Sequence, residues 1–132
     1  MSRKKRIILA KLGLDGHDNG MRIVATWLRD NGYEVIYLGL YNSVDRVVGA
    51  AVEEDVDAIG ISFLGGEHLY YSKQLLEKLN TNGLSHLKIF FGGVIPKADV
   101  RELKELGIAE IFTFSDGREK VLTQIDQNLE FQ

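Results

Sequence analysis

His17 stands between two aspartates in the stretch "AKLGLDGHDNGMR", with Gly13, Gly16 and Gly20 placed around it. When a carboxylate hydrogen-bonds one imidazole nitrogen, it fixes the tautomer and makes the other nitrogen more basic, an arrangement that metal-ligating histidines commonly use. Asp15, two residues earlier, is close enough in the chain to supply that carboxylate. A zinc centre of hydrolytic type needs further protein ligands. The other two histidines, His68 and His86, lie in separate segments, and the chain has no cysteine. One histidine suffices when the metal arrives with most of its ligands already in place, as in a macrocycle. These residues point to a tetrapyrrole-like cofactor with His17 as axial ligand; a surface or core histidine is the plain alternative.

Other chemistries that would use such a loop fail on spacing. The three glycines do not fit the G-x-G-x-x-G dinucleotide fingerprint, and Gly20 is followed by Met21 and Arg22 rather than the Lys-Ser/Thr of a phosphate loop. "GISFL" carries Gly60 and Ser62 but puts Leu64 where a nucleophile elbow needs glycine. A phosphate-accepting receiver would need an aspartate where "ISFL" ends its run.

The elements that must position these residues are legible from hydrophobic pattern. Five apolar or β-branched runs recur, "RIILAKL", "EVIYLGL", "AIGISFL", "LKIFFGG" and "EIFTF". They are nearly continuous rather than alternating, as strands covered on both faces are. Between them, helical spacing predicts apolar faces at Ile23, Val24, Trp27 and Leu28; at Val44, Val47, Val48, Ala51 and Val52; at Leu69, Leu75, Leu76 and Leu79; and at Val100, Leu103 and Leu106. A last helix follows "DGRE", where Asp116 and Glu119 form a potential capping box, and its face is Val121, Leu122, Ile125 and Leu129. Gly32, Gly83 and Gly107 fall where left-handed helix caps are needed, and Pro96 is placed to open the fourth helix. Strict β-α alternation implies an α/β, flavodoxin-like doubly wound fold, a five-stranded parallel sheet of order 2-1-3-4-5 with helices on both faces. Ligands of such sheets bind at the carboxyl ends of the strands, where the winding reverses between strands one and three. The His17 loop, "SFLGG" and "GGV" all belong at that crevice.

Bulk properties fit this picture. The 132 residues are read as one domain, 1–132, with residues 1–6 a basic tail. A net charge of −3 argues against a nucleic-acid partner, and "SRKKR" reads as a solvated cluster rather than a membrane or nucleic-acid contact. "IILA" is too short for a signal peptide core, and no stretch approaches membrane-spanning length. The lack of cysteine excludes a disulfide scaffold and fits the cytoplasm.

Asp15-x-His17-x-x-Gly20, with Ser62 and Leu64 ending the third strand and Gly92-Gly93 ending the fourth, resembles the cobalamin (vitamin B12)-binding domain. "AKLGLDGHDNG" and "GGVIP" are similar to the small or C-terminal cobalamin-binding part of methylmalonyl-CoA mutase-type acyl-CoA mutases. The resemblance implies that His17 replaces the cofactor's own dimethylbenzimidazole as lower cobalt ligand, with Asp15 bonded to it and Lys11 completing the relay. It also implies that the displaced nucleotide tail threads between strands one and three. Gly20 would let the helix start approach that tail, Ser62 would hydrogen-bond its base, and Leu64 would line the pocket. Gly92 and Gly93 would leave room where a Cβ would collide with the tail. Gly16 and Asp18 in the opening loop, Gly65 after strand three and Val94 after strand four complete the cofactor contacts the resemblance implies.

By the same resemblance the cofactor is adenosylcobalamin, whose Co–C homolysis starts a radical carbon-skeleton rearrangement of an acyl-CoA thioester. Every strand-end loop goes to the cofactor, so the substrate is expected on a separate large subunit of TIM-barrel type, with neither nucleic acid nor membrane as partner. The chain alone is expected to be inactive. The alternatives are a corrinoid carrier for methyl transfer, a cobalamin-dependent regulator, or a flavodoxin-like domain without cofactor. Methyl-transfer proteins commonly carry a helical cap before this fold, and the short segment ahead of strand one is expected to leave no room for it. Two departures stand out. Thr113, Phe114, Ser115 and Asp116 occupy the place of the family's Gly-Pro-Gly-Thr, and Glu67 stands where small residues are usual; Glu67 reads as a carboxylate complementing a helix N-terminus.

Overall fold

Each apolar run becomes a parallel strand and each periodic run a helix: β1 (Arg6–Leu12), α1 (Asn19–Asp30), β2 (Glu34–Asn42), α2 (Val44–Glu54), β3 (Ala58–Phe63), α3 (His68–Thr81), β4 (Lys88–Gly93), α4 (Lys97–Leu106), β5 (Glu110–Thr113) and α5 (Arg118–Leu129). The computed structural model describes residues 4–13, 19–64, 66–113 and 115–129. The strand order is β2-β1-β3-β4-β5, all neighbours parallel, as the alternation implied. Among the described residues no helix is long and apolar enough to cross a membrane.

Side chains alternate across each strand, so the sheet sorts its residues into two cores. Ile8, Ala10 and Leu12 of β1, Ile59, Ile61 and Phe63 of β3, and Ile89 and Phe91 of β4 face one way, against Val47, Ala51, Leu75, Leu79 and Leu103 from α2, α3 and α4. Ile7, Leu9, Ala58, Phe90 and Phe112 face the other way, against Met21, Ala25, Leu28, Val121, Leu122 and Ile125 from α1 and α5. Burying each such aliphatic side chain contributes about 1.5–3 kcal/mol.

Three expected core positions are exposed: Ile23, Val52 and Leu106. In α1 the buried residues are Met21, Ala25 and Leu28, at i, i+4 and i+7, and Ile23 lies off that buried stripe. Val52 and Leu106 fall outside the buried sets of their helices, Val44, Val47, Val48 and Ala51 in α2 and Leu103 in α4. The caps follow expectation at Gly32, Gly83 and Gly107, all at positive φ. Pro96 sits at the N-cap of α4, one residue before the helix. Asp116 behaves differently from a capping-box residue. One carboxylate oxygen accepts from Thr113 N at 2.8 Å and the other meets Lys120 Nζ at 2.9 Å, so it ties the end of β5 to α5.

The β1–β2 pairing carries the sheet's irregularity. Its register shifts between Leu9 and Ala10 and again before Leu12, and both Gly39 and Tyr41 take positive φ. Asn42, buried at the end of β2, donates its side-chain amide to Lys11 O at 3.1 Å and to Gly39 O at 2.9 Å, while its backbone carbonyl accepts from Gly13 N at 3.0 Å. These bonds fix the point from which the chain departs into residues 14–18.

Candidate cofactor-binding site

A cavity of about 260 Å³ opens on the α1/α5 face of the sheet. Its floor is β1, β3 and β4, through Leu9, Gly60, Ser62, Phe90, Gly92 and Gly93; Gly20, Ile23, Val24 and Trp27 of α1 form one wall, and Thr113, Asp116, Val121 and Ile125 close the other. The lining is mostly apolar, with Ser62, Thr113 and Asp116 as its polar side chains. The cavity therefore lies beside the β1/β3 switch point, where a doubly wound sheet takes its ligands.

Why the space exists follows from the sequence. Gly60 lies mid-strand, where glycine weakens a sheet and often marks a close approach. A Cβ there would meet Leu9 Cδ2 at 2.7 Å. A Cβ on Gly92 would meet nothing nearer than Phe112 O at 3.8 Å; this glycine keeps open the cavity rather than the protein's own packing. Gly93 differs. Its φ is +112° and its Cβ would stand 1.9 Å from Phe63 O, so the neighbouring strand's backbone demands glycine there whatever the cavity holds. The expectation that a tail excludes a Cβ at both glycines thus has an independent cause at Gly93.

Lys11 is fully buried on β1, and its ammonium lies 3.2 Å from Ser62 O and 3.4 Å from Ser62 Oγ. An ammonium only donates, so toward Lys11 the Ser62 oxygen is an acceptor, which leaves the hydroxyl proton for an acceptor in the cavity. At the opposite edge, burial raises the Asp116 carboxyl, but the Thr113 N–H and the Lys120 ammonium outweigh it and hold the group below its ordinary value. Thr113 Oγ1 meets Ser115 Oγ at 2.9 Å. Thr113 and Asp116 close the cavity at this edge.

The structure brings Gly20, Ser62, Gly92 and Gly93 together around one space and sets Lys11 behind Ser62. Leu64, just past β3, and Val94, half exposed past β4, are not among the residues lining it. Asp15, Gly16, His17 and Asp18, including the expected cobalt ligand, and Gly65 lie outside the described residues. Glu67 sits at the N-cap of α3 without a side-chain cap bond, which fits a carboxylate at a helix N-terminus. Burial and then the Glu67 charge raise the nearby Tyr71 phenol. His86 is exposed and His68 pairs with Asp99. Sequence reading missed Ile23, Val24 and Trp27 as cavity residues; the mid-strand glycine at 60, facing them, was the available signal.

The B12-binding domain family matches residues 5–121. The chain belongs to that family. Its cofactor class is cobalamin. The B12-binding chain is 43% identical over 121 residues to the pivalyl-CoA mutase small subunit of Xanthobacter autotrophicus, covering 92% of this chain and 81% of that one. It is 42% identical over 106 residues to the 2-hydroxyisobutanoyl-CoA mutase small subunit of Aquincola tertiaricarbonis, covering 80% and 78%. Among solved structures, a cobalamin-binding protein from Desulfitobacterium hafniense superimposes with a TM-score of 0.82 at 25% identity, over 95% of this chain and 59% of that one. The chain therefore belongs with the small subunits of the acyl-CoA mutases, which are isomerases. A methyl-transfer corrinoid carrier is less well supported, because these relatives match over most of their length and are mutase subunits.

Proposed function

We propose that this chain, as a single domain, is the cobalamin-carrying small subunit of an adenosylcobalamin-dependent acyl-CoA mutase, with His17 as lower axial ligand and the nucleotide tail lodged against Ser62. The observation that carries the reading is the cavity at the switch point. An apolar cavity of about 150 Å³ accepts benzene, so about 260 Å³ has room for a two-ring heteroaromatic base. Ser62 offers that base a hydroxyl proton, Gly92 leaves its edge free, and Val24 and Trp27 wall it on the α1 side.

Adenosylcobalamin, when bound, supplies a Co–C bond that cleaves homolytically. The work of the chain's own residues is to hold and orient. Lys11 anchors Ser62 from behind, and Asp15 fixes the tautomer of His17. Gly16, Asp18, Leu64, Gly65 and Val94 would make the remaining contacts to the cofactor. The acyl-CoA sits on a separate large subunit of TIM-barrel type; that both mutase relatives are small subunits supports this division. The cytoplasm is the compartment that a chain without cysteine fits.

Labelling the protein with ¹⁵N-histidine and recording the Co(II) EPR spectrum of the loaded chain tests the ligand. The superhyperfine pattern should change from that of ¹⁴N to that of ¹⁵N, and His17→Ala should abolish it. An unchanged pattern would mean that the cofactor keeps its own base and would overturn the assignment.

A further inference from the structure

A polar pair on the opposite face of the sheet, buried at its histidine, has no part in the site described above. His68 opens α3 and is 3% exposed; its Nε2 lies 2.7 Å from Asp99 Oδ2 in the first turn of α4. An ionised carboxylate only accepts, so Nε2 carries the proton. The other ring nitrogen, Nδ1, is buried and without a partner among the described residues. A pair of this kind is weak evidence for stability, and the best-attested use of such pairs is to fix one arrangement of the elements they join.

What it joins are the ends of β3 and β4. The His68 ring meets Phe63, the last residue of β3, edge-on with centroids 6.2 Å apart. The Phe63 carbonyl accepts from Val94 N at 2.9 Å and abuts Gly93, with which Phe63 is paired in register. Asp99 lies just beyond, in the helix that β4 feeds. Strand alternation then does the coupling: Phe63 faces the His68 pair, while Ser62 and its register partner Gly92 face the cavity.

We infer that His68 and Asp99 are positioning residues for the tail-binding floor, holding the ends of β3 and β4 at the offset that lets Ser62 and Gly92 receive the nucleotide base. The inference rests on the tail-cavity reading proposed above. Neither residue touches the cofactor; each acts through Phe63 and the first turn of α4.

Cobalamin and cobinamide, a corrin without the nucleotide tail, separate positioning from simple stabilisation. His68→Ala and Asp99→Ala should lose about ten-fold in cobalamin affinity, as supporting partners around metal ligands do, while cobinamide affinity stays unchanged. His68→Gln, which keeps an N–H donor toward Asp99, and Asp99→Asn, which keeps a carbonyl acceptor, should recover most of that loss. Thermal midpoints are recorded for every variant, and if His68→Ala does not fold, the partly exposed Asp99 position decides. Equal losses for both corrinoids, no loss of cobalamin affinity, or conservative variants no better than alanine would overturn the inference. A wild-type chain that binds both corrinoids equally would instead overturn the tail-cavity reading.

Discussion

Replacing Gly92 by alanine adds a methyl group whose nearest protein neighbour is Phe112 O at 3.8 Å, an ordinary contact. Replacing Gly93 by alanine puts the same methyl 1.9 Å from Phe63 O, on a residue held at φ +112°. The strained φ costs about 1–3 kcal/mol, and parting two strand ends to relieve an overpacked contact costs about 1–3 kcal/mol more. Gly93→Ala should therefore lower the melting temperature by an amount on the order of 10 °C. Gly92→Ala should leave stability within about 1 kcal/mol, tending upward because alanine has less freedom to lose from the unfolded chain. Its methyl group, however, enters the space assigned to the tail. Overpacking there by about 1–3 kcal/mol corresponds to a loss of about 5- to 150-fold in cobalamin affinity.

The assay pairs thermal unfolding of the apo variants with titration by cobalamin and cobinamide. The expected pattern is crossed: Gly92→Ala folds normally and loses the tailed corrinoid alone, whereas Gly93→Ala is destabilised before any ligand is added. If Gly92→Ala bound cobalamin like wild type, the cavity would not be where the tail goes. If Gly93→Ala melted like wild type, the close approach of Phe63 would not be what excludes a side chain there.

Lys11→Met removes the buried ammonium that reaches Ser62 O and Oγ; it should weaken cobalamin binding by about 10–100-fold, and wild-type affinity would refute the role given to Lys11 behind Ser62. Asp116 has a folded pKa below its ordinary 3.8, so it stabilises the fold above that pH and loses its contribution as pH falls through the depressed value. Asp116→Asn should cost about 1–2 kcal/mol at pH 7 and less toward pH 3 in urea unfolding, and an equal difference at both pH values would refute the assignment.

The fold was largely legible because burial on both faces of a parallel sheet writes itself as unbroken apolar runs, and β-α alternation with right-handed crossovers leaves few topologies. Ser62 and Gly92 were legible because a short motif fixed where the cavity floor had to be. Ile23, Val24 and Trp27 were not. Periodicity marks which helix face is apolar but cannot say whether that face meets a core or a cavity, and both look alike in α1. The reason for Gly93 was hidden for another cause: a contact between backbones of different strands leaves no trace in side-chain pattern. The Asn42 hook and the His68–Asp99 pair join residues far apart in the chain, so neither partner signals the other. Asp116 fits a capping box by spacing, yet the end of β5 offered its N–H more closely.

The two faces of the sheet do different work, and the cavity shows how that division bears on stability. On the α2/α3/α4 face, Ile59, Ile61, Phe63 and Phe91 meet helices without interruption. On the α1/α5 face, Gly60, Ser62 and Gly92 present little side chain at the same levels, and the core is hollow there. A dry, closed void of about 260 Å³ would cost roughly 6 kcal/mol at about 24 cal/mol per Å³, a large share of the 5–15 kcal/mol that ordinarily holds a domain together. The cavity opens to solvent and has Ser62, Thr113 and Asp116 to hold water, so the actual cost lies below that bound. What remains is stability the sequence leaves unspent in the free chain, which a ligand filling the space would recover. The unbroken face keeps the sheet assembled in the meantime, with β3 and β4 locked by Phe63, Gly93 and the His68–Asp99 pair.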